Sequence, residues 1–119
     1  MSGVQNMKMV IAVVQPTRLR AVREALYEAG VQRITICDVQ EYVQHDDQPP
    51  IYRGVEYRGK IVRKVNLEIA VNDDFLDRTI EIIQNAYRCA DDENEGDIFV
   101  CPLLDAVELC SQQRGASAI

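Results

Sequence analysis

In KVNLEIAVNDD, residues 64–74, Val65, Leu67, Ile69 and Val71 alternate without a break with Lys64, Asn66, Glu68 and Ala70. Successive side chains of a strand point to opposite faces, so this pattern predicts a strand with one face in an apolar core and the other wetter. Asn72, Asp73 and Asp74 come next, residue types that accept hydrogen bonds from the free N–H groups at a helix start. Leu76, Ile80, Ile83 and Tyr87 then recur at helical spacing. A half-buried strand therefore runs directly into a helix.

On the N-terminal side, MVIAVV (9–14) is a continuous apolar run, which suits a strand covered on both faces. Pro16 and Thr17 open a new period, in which Leu19, Val22, Leu26 and Ala29 form one face of a helix and Gly30 stands as its C-terminal cap. Residues from Val31 to Val43 return to strand-forming types. On the C-terminal side, the acidic run DDENEGD (91–97) reads as a turn, IFVC (98–101) as a short buried strand stopped by Pro102, and LLDAVELC (103–110) as one or two turns of helix. The order β-α-β-β-α-β is the ferredoxin-like one: an α+β domain, with an antiparallel sheet carrying two helices on one face. The two apolar strands imply that the second face is also covered. With no further helices to do so, the expected cover is another copy of the chain.

At 119 residues, 47% apolar and 27% charged, the chain is expected to be a single globular domain over 1–119. No apolar run approaches the roughly 20 residues of a membrane span, and MSGVQNMK lacks a signal-peptide core, so the expectation is a soluble, cytoplasmic protein. A net charge of −6 argues against nucleic acid as a partner. The four cysteines, Cys37, Cys89, Cys101 and Cys110, form no CxxC pair and are expected to be reduced, with Cys110 in a polar tail the one to watch. DDENEGD matches no calcium-loop spacing and reads as a solvated turn, so no metal is expected. There is no Ser-His-Asp set, no phosphate loop of the GxxxxGK[ST] type and no paired carboxylates suited to acid–base work. An enzyme is not expected, nor an obligatory cofactor.

One segment departs from the acidic background. PPIYRGVEYRGKIVRK (49–64) carries a net +4 between Tyr52 and Lys64, leaving −10 for the rest. It is either the solvated tip of a hairpin or an arm whose charge serves a partner.

The motif YRGVEY (52–57), with VREALYEAGVQRITICDV before it and KVNLEIAVNDD and GDIFVCPLLDAVEL after it, resembles the PII signal-transduction proteins, trimeric sensors of nitrogen and carbon status. The resemblance runs in order from Met7 to Ile119, with about one residue inserted near 91–95, and implies a homotrimer. It divides the chain into a flexible N-terminus (1–6), a T-loop (45–60), a B-loop (91–97) and a C-terminal segment (103–119). The T-loop would reach a membrane transporter or metabolic enzyme, with Tyr52, Arg53, Tyr57 and Arg58 as contact groups. Tyr57 falls where some members are uridylylated.

In PII proteins an adenine nucleotide lies between subunits, and the resemblance carries over unevenly. Lys64 matches the lysine that opens the third strand; its ammonium suits a phosphate or a carboxylate, and equally a solvent-facing strand position. The B-loop reads Asn94-Glu95-Gly96-Asp97, with Asp97 where a lysine is usual. Glu108 and Cys110 stand in place of two arginines. His45, the only histidine, falls where a glutamine contacts 2-oxoglutarate or the γ-phosphate; a loop histidine is also often merely solvated. Arg114 and the B-loop N–H groups remain as anion partners. The resemblance thus implies AMP or ADP over ATP, with bicarbonate a further effector, as in members associated with bicarbonate transport and carboxysomes. Two other readings stay open. One is an interaction module that has lost nucleotide binding; the other, which YRGVEY argues against, is a metal-tolerance protein of the same architecture.

Overall fold

The computed structural model describes residues 7–44, 51–52, 55–56, 59–88 and 96–119. Four strands, β1 (Met7–Val14), β2 (Thr35–Gln44), β5 (Gly59–Asn72) and β6 (Asp97–Pro102), form one sheet. Its order is β2-β5-β1-β6, with every pairing antiparallel. Within the β2-to-β5 connection, β3 (Ile51–Tyr52) and β4 (Val55–Glu56) make a separate small ladder. Helices α1 (Leu19–Glu28) and α2 (Leu76–Tyr87) pack on one face. The ferredoxin-like order expected from the alternation is the one observed.

The register explains the core. Val10, Ala12 and Val14 lie opposite Ile69, Leu67 and Val65, so one face of the two central strands is wholly apolar. Val22 and Leu26 of α1 and Ile82, Ile83 and Tyr87 of α2 close over it. Leu26 and Leu67 are fully buried, and truncating either to Ala costs about 2–5 kcal/mol. Helix α1 ends as its sequence predicts. Gly30 adopts φ +100°, its N–H donates to the Tyr27 carbonyl at 3.0 Å and that of Val31 to Leu26 at 3.0 Å, which closes the helix with a left-handed residue that favours glycine.

Four expectations are corrected. Residues 31–34 are irregular, and β2 starts at Thr35. Asn72, Asp73 and Asp74 give no side-chain cap: the chain enters α2 through a 3-10 turn (Asp73–Phe75), and Asp73 instead pairs with Lys8 of β1 at 2.7 Å. Gly59 and Lys60, the last two residues of the arm expected over 45–60, pair with Gln44 and Val43 in the sheet, and 45–50, 53–54 and 57–58 lie outside the described residues. Finally, 103–110 is not helical. The Asp105 carboxylate accepts the N–H of Ala106 at 2.8 Å and that of Glu108 accepts Ser111 at 2.6 Å, side-chain bonds that compete with helix formation. The segment folds into a hairpin, with Val107 bridged to Arg114 and Gln112 at φ +63°.

Two features of the sheet position the candidate site. First, β1 ends at Val14, opposite Val65, so residues 59–64 of β5 pair only with β2. A two-stranded ribbon therefore projects past the main sheet toward the 45–58 connection. Second, the face away from the helices carries Met9, Ile11, Val13, Phe99 and Val39 together with Asn66 and Glu68. The chain's own C-terminal segment reaches this face near Met7, where Leu103 donates to the Met7 carbonyl at 3.1 Å and Arg33 holds the Ala118 carbonyl at 3.2 Å. Phe99 remains 54% exposed.

Candidate anion site at the root of the ribbon

Lys64 is the ribbon residue of β5 that adjoins the main sheet, next to Val65, which pairs with Val14 of β1. It points to the face opposite the helices, beside Val39, and is only 4% exposed. Burial of a lysine is costly unless its charge is answered. Glu41, on β2 and on the same face, places its Oε1 3.5 Å from the Lys64 Nζ. That separation is long for a charge-assisted hydrogen bond and marks a loose Coulombic contact. The Glu41 side chain is 42% exposed, so one partner is held and the other reaches solvent.

The entry to β6 lies at the same end of the sheet. Gly96 sits where a Cβ would come within 2.9 Å of Cζ and 3.0 Å of the hydroxyl of Tyr87, so this is a close approach that glycine alone makes. Tyr87 in turn accepts the N–H of Gln15, just past β1, at 3.5 Å, and Arg18 stands 5.8 Å from its ring centroid. These contacts fasten the start of β6 to the end of β1. Asp97 follows, exposed and opposite Val13, which is itself opposite Asn66. Lys64 and Asp97 thus flank the end of β1, two strand spacings apart across the sheet and two residues apart along it, ~12 Å in all.

The other sequence-predicted residues divide. His45, Asn94 and Glu95, with Arg53, Tyr57 and Arg58 of the arm, lie outside the described residues, and of Tyr52 only the backbone is described, in β3. Arg114 belongs to the C-terminal hairpin, where it is bound to Asp105 and holds that carboxyl below its ordinary value. Glu108 is likewise lowered, chiefly by the Ser111 N–H and hydroxyl, with the Arg33 charge a smaller cause. Glu108 lines a cavity of about 740 Å³, which also includes Val31, Gln32, Arg33, Glu68 and Ala70. This cavity lies toward the far end of the sheet: Ala70 is six residues along β5 from Lys64, ~20 Å at strand rise. Within one chain, Lys64 and Asp97 are therefore together, and Glu108 and Arg114 are apart from them. Among the described residues, Cys37, Cys101 and Cys110 are free, and no group of three or more His, Cys, Asp or Glu could hold a metal.

The role of Glu41 was not visible in the sequence. It shares a face with Lys64 only through the β2–β5 register, which the length of an irregular connection does not reveal.

The geometry is that of a ferredoxin-like sheet extended by a two-stranded ribbon, with a buried lysine at the ribbon's root, and such a fold is shared by many functions. Comparison with known proteins gives the family. Residues 7–113 match the model of the nitrogen regulatory protein P-II family. The chain is 39% identical over 114 residues to nitrogen regulatory protein GlnK1 of Methanosarcina mazei, covering 95% of this chain and 97% of that one. It is 33% identical to nitrogen regulatory protein P-II of Azospirillum brasilense, covering 95% and 100%. Among solved structures it superposes on Arabidopsis thaliana PII bound to citrate with a TM-score of 0.76 at 29% identity, covering 97% and 94%. On Bacillus subtilis GlnK the TM-score is 0.81 at 21% identity, covering 95% and 98%, which speaks for the fold. The chain belongs to the P-II family of nitrogen regulatory proteins. No helix among the described residues is long and apolar enough to cross a membrane.

Proposed function

We propose that this chain is a cytoplasmic PII-type signalling protein. It senses a small anionic effector in clefts between the subunits of a homotrimer and acts through the 45–58 arm on a membrane transporter or a metabolic enzyme. The observation that carries the reading is Lys64, a buried ammonium at the root of that arm, on the face that a second subunit would cover. Two further features support it. The 740 Å³ cavity and the Lys64–Asp97 end lie apart on one sheet, and a ring of subunits would bring one chain's cavity to the next chain's lysine. A related member, Arabidopsis thaliana PII, was solved with citrate, a multiply charged carboxylate.

The effector is an adenine nucleotide with few phosphates. Asp97 and Glu108 are anionic where the family resemblance places cations, and each added phosphate brings about one more negative charge toward them. AMP or ADP is therefore favoured over ATP, with bicarbonate as a second effector. Calorimetry with AMP, ADP and ATP, each with and without bicarbonate and 2-oxoglutarate, tests this. Tight ATP binding that 2-oxoglutarate enhances would overturn the selectivity. Silence with every nucleotide would leave an interaction module of the same fold, which the pairing of Lys64 with Glu41 also favours.

A further inference from the structure

We infer that Glu41 is a built-in competitor for the effector, a carboxylate of the chain itself that occupies Lys64 when no ligand is bound and so sets how tightly an anion can bind there. The inference rests on the reading of Lys64 as an effector ligand. Its own basis is the asymmetry of the ion pair. Lys64, 4% exposed, is held in the sheet, whereas Glu41 is 42% exposed and can turn to water at little cost. At 3.5 Å the contact attracts the two charges but is longer than the charge-assisted hydrogen bond that would lock them together.

Register places them so that exchange is direct. Glu41 lies opposite Val62 and Lys64 opposite Val39, a diagonal pair on one face with the carboxylate on the ribbon side. A ligand arriving over this face meets Lys64 already partnered. To bind, it must displace Glu41, and a group of equal charge gains little by the exchange. A phosphate, which carries more than one charge and three acceptor oxygens, gains more than a monoanion such as bicarbonate. Glu41 therefore weakens every anion at Lys64 by the same factor, and a monoanion, intrinsically the weaker ligand, needs the higher concentration to fill the site. A site blocked for most of the time has its apparent affinity lowered by the fraction left open.

The test uses the full-length protein, wild type and the variants Glu41→Gln, Lys64→Met and the two combined, titrated with ADP by calorimetry after thermal melts establish that each is folded. Glutamine keeps the shape of an exposed side chain, and methionine keeps the packing of the buried lysine stem. Glu41→Gln is expected to bind ADP about three- to tenfold more tightly than wild type, and the same change in the Lys64→Met background to have little effect. Binding by Glu41→Gln where wild type is silent would support the inference still more strongly. Equal ADP affinity in wild type and Glu41→Gln would overturn it while leaving the nucleotide reading intact. So would an equal gain in the Lys64→Met background, which would show a general field effect. Silence in all four proteins would overturn the nucleotide reading and this inference with it.

Discussion

The proposed site turns on Lys64, whose charge is buried while Glu41, 3.5 Å away, is partly exposed. If it holds the effector, Lys64→Met should weaken AMP or ADP by ~1–3 kcal/mol, the scale of a charge-assisted hydrogen bond, as read by calorimetry. Affinity unchanged would return Lys64 to a structural role. Asp97 gives the converse experiment. Asp97→Lys places a cation at the exposed start of β6 and should shift preference toward ATP by about tenfold relative to AMP, a change of ~1.4 kcal/mol. Much of this site was legible residue by residue, since Lys64, Gly96 and Asp97 occur in motifs of fixed order. What was illegible is how they meet. That Glu41 reaches Lys64, that Gly96 abuts the tip of the Tyr87 ring, and that Arg114 is taken by Asp105 all depend on cross-strand register and on chain reversals that local pattern does not encode.

Among the elements, the strands and helices that face the core were readable because period 2 and period 3.6 leave different marks on apolar spacing. The C-terminal segment was not. LLDAVELC has helical spacing, yet Asp105, Glu108 and Ser111 bind nearby backbone N–H groups and favour a hairpin, a local competition that hydrophobic period does not register. Those bonds lower the pKa of Asp105, mainly through Arg114, and of Glu108, mainly through Ser111. A carboxylate lowered in the folded state stabilises it fully above the ordinary carboxylate range and loses that contribution as pH falls through the folded pKa. The hairpin should therefore hold from neutral pH down to the ordinary carboxylate range and loosen only in more acid solution, which amide hydrogen exchange over 106–115 measures. Loosening already between pH 6 and 7, about two pH units above that range, would show that these bonds do not hold the hairpin. The junction of α2 with β6 makes a further test. Gly96→Ala puts a methyl against Tyr87 and against the Val13 carbonyl at 3.1 Å, and should cost ~1–3 kcal/mol in denaturant unfolding. A cost near zero would mean that the ring moves aside freely.

For the whole molecule, one sheet face is finished by the chain and the other is not. The helix face is closed by α1 and α2; the opposite face leaves Phe99 exposed and Ile11 half-covered. Full burial of a side chain such as Phe or Ile is worth about 1.5–3 kcal/mol, so covering this face repays association. Under the proposed reading, the same association joins the cavity beside Arg33 and Glu68 to the lysine of a neighbouring chain. The most direct test of this account is the mass of the free protein at micromolar concentration, by size-exclusion chromatography with light scattering. For a chain of 13.5 kDa, a trimer of about 40 kDa is expected. A monomer would contradict it, because the open sheet face would then stay bare and the two halves of the effector site would never meet.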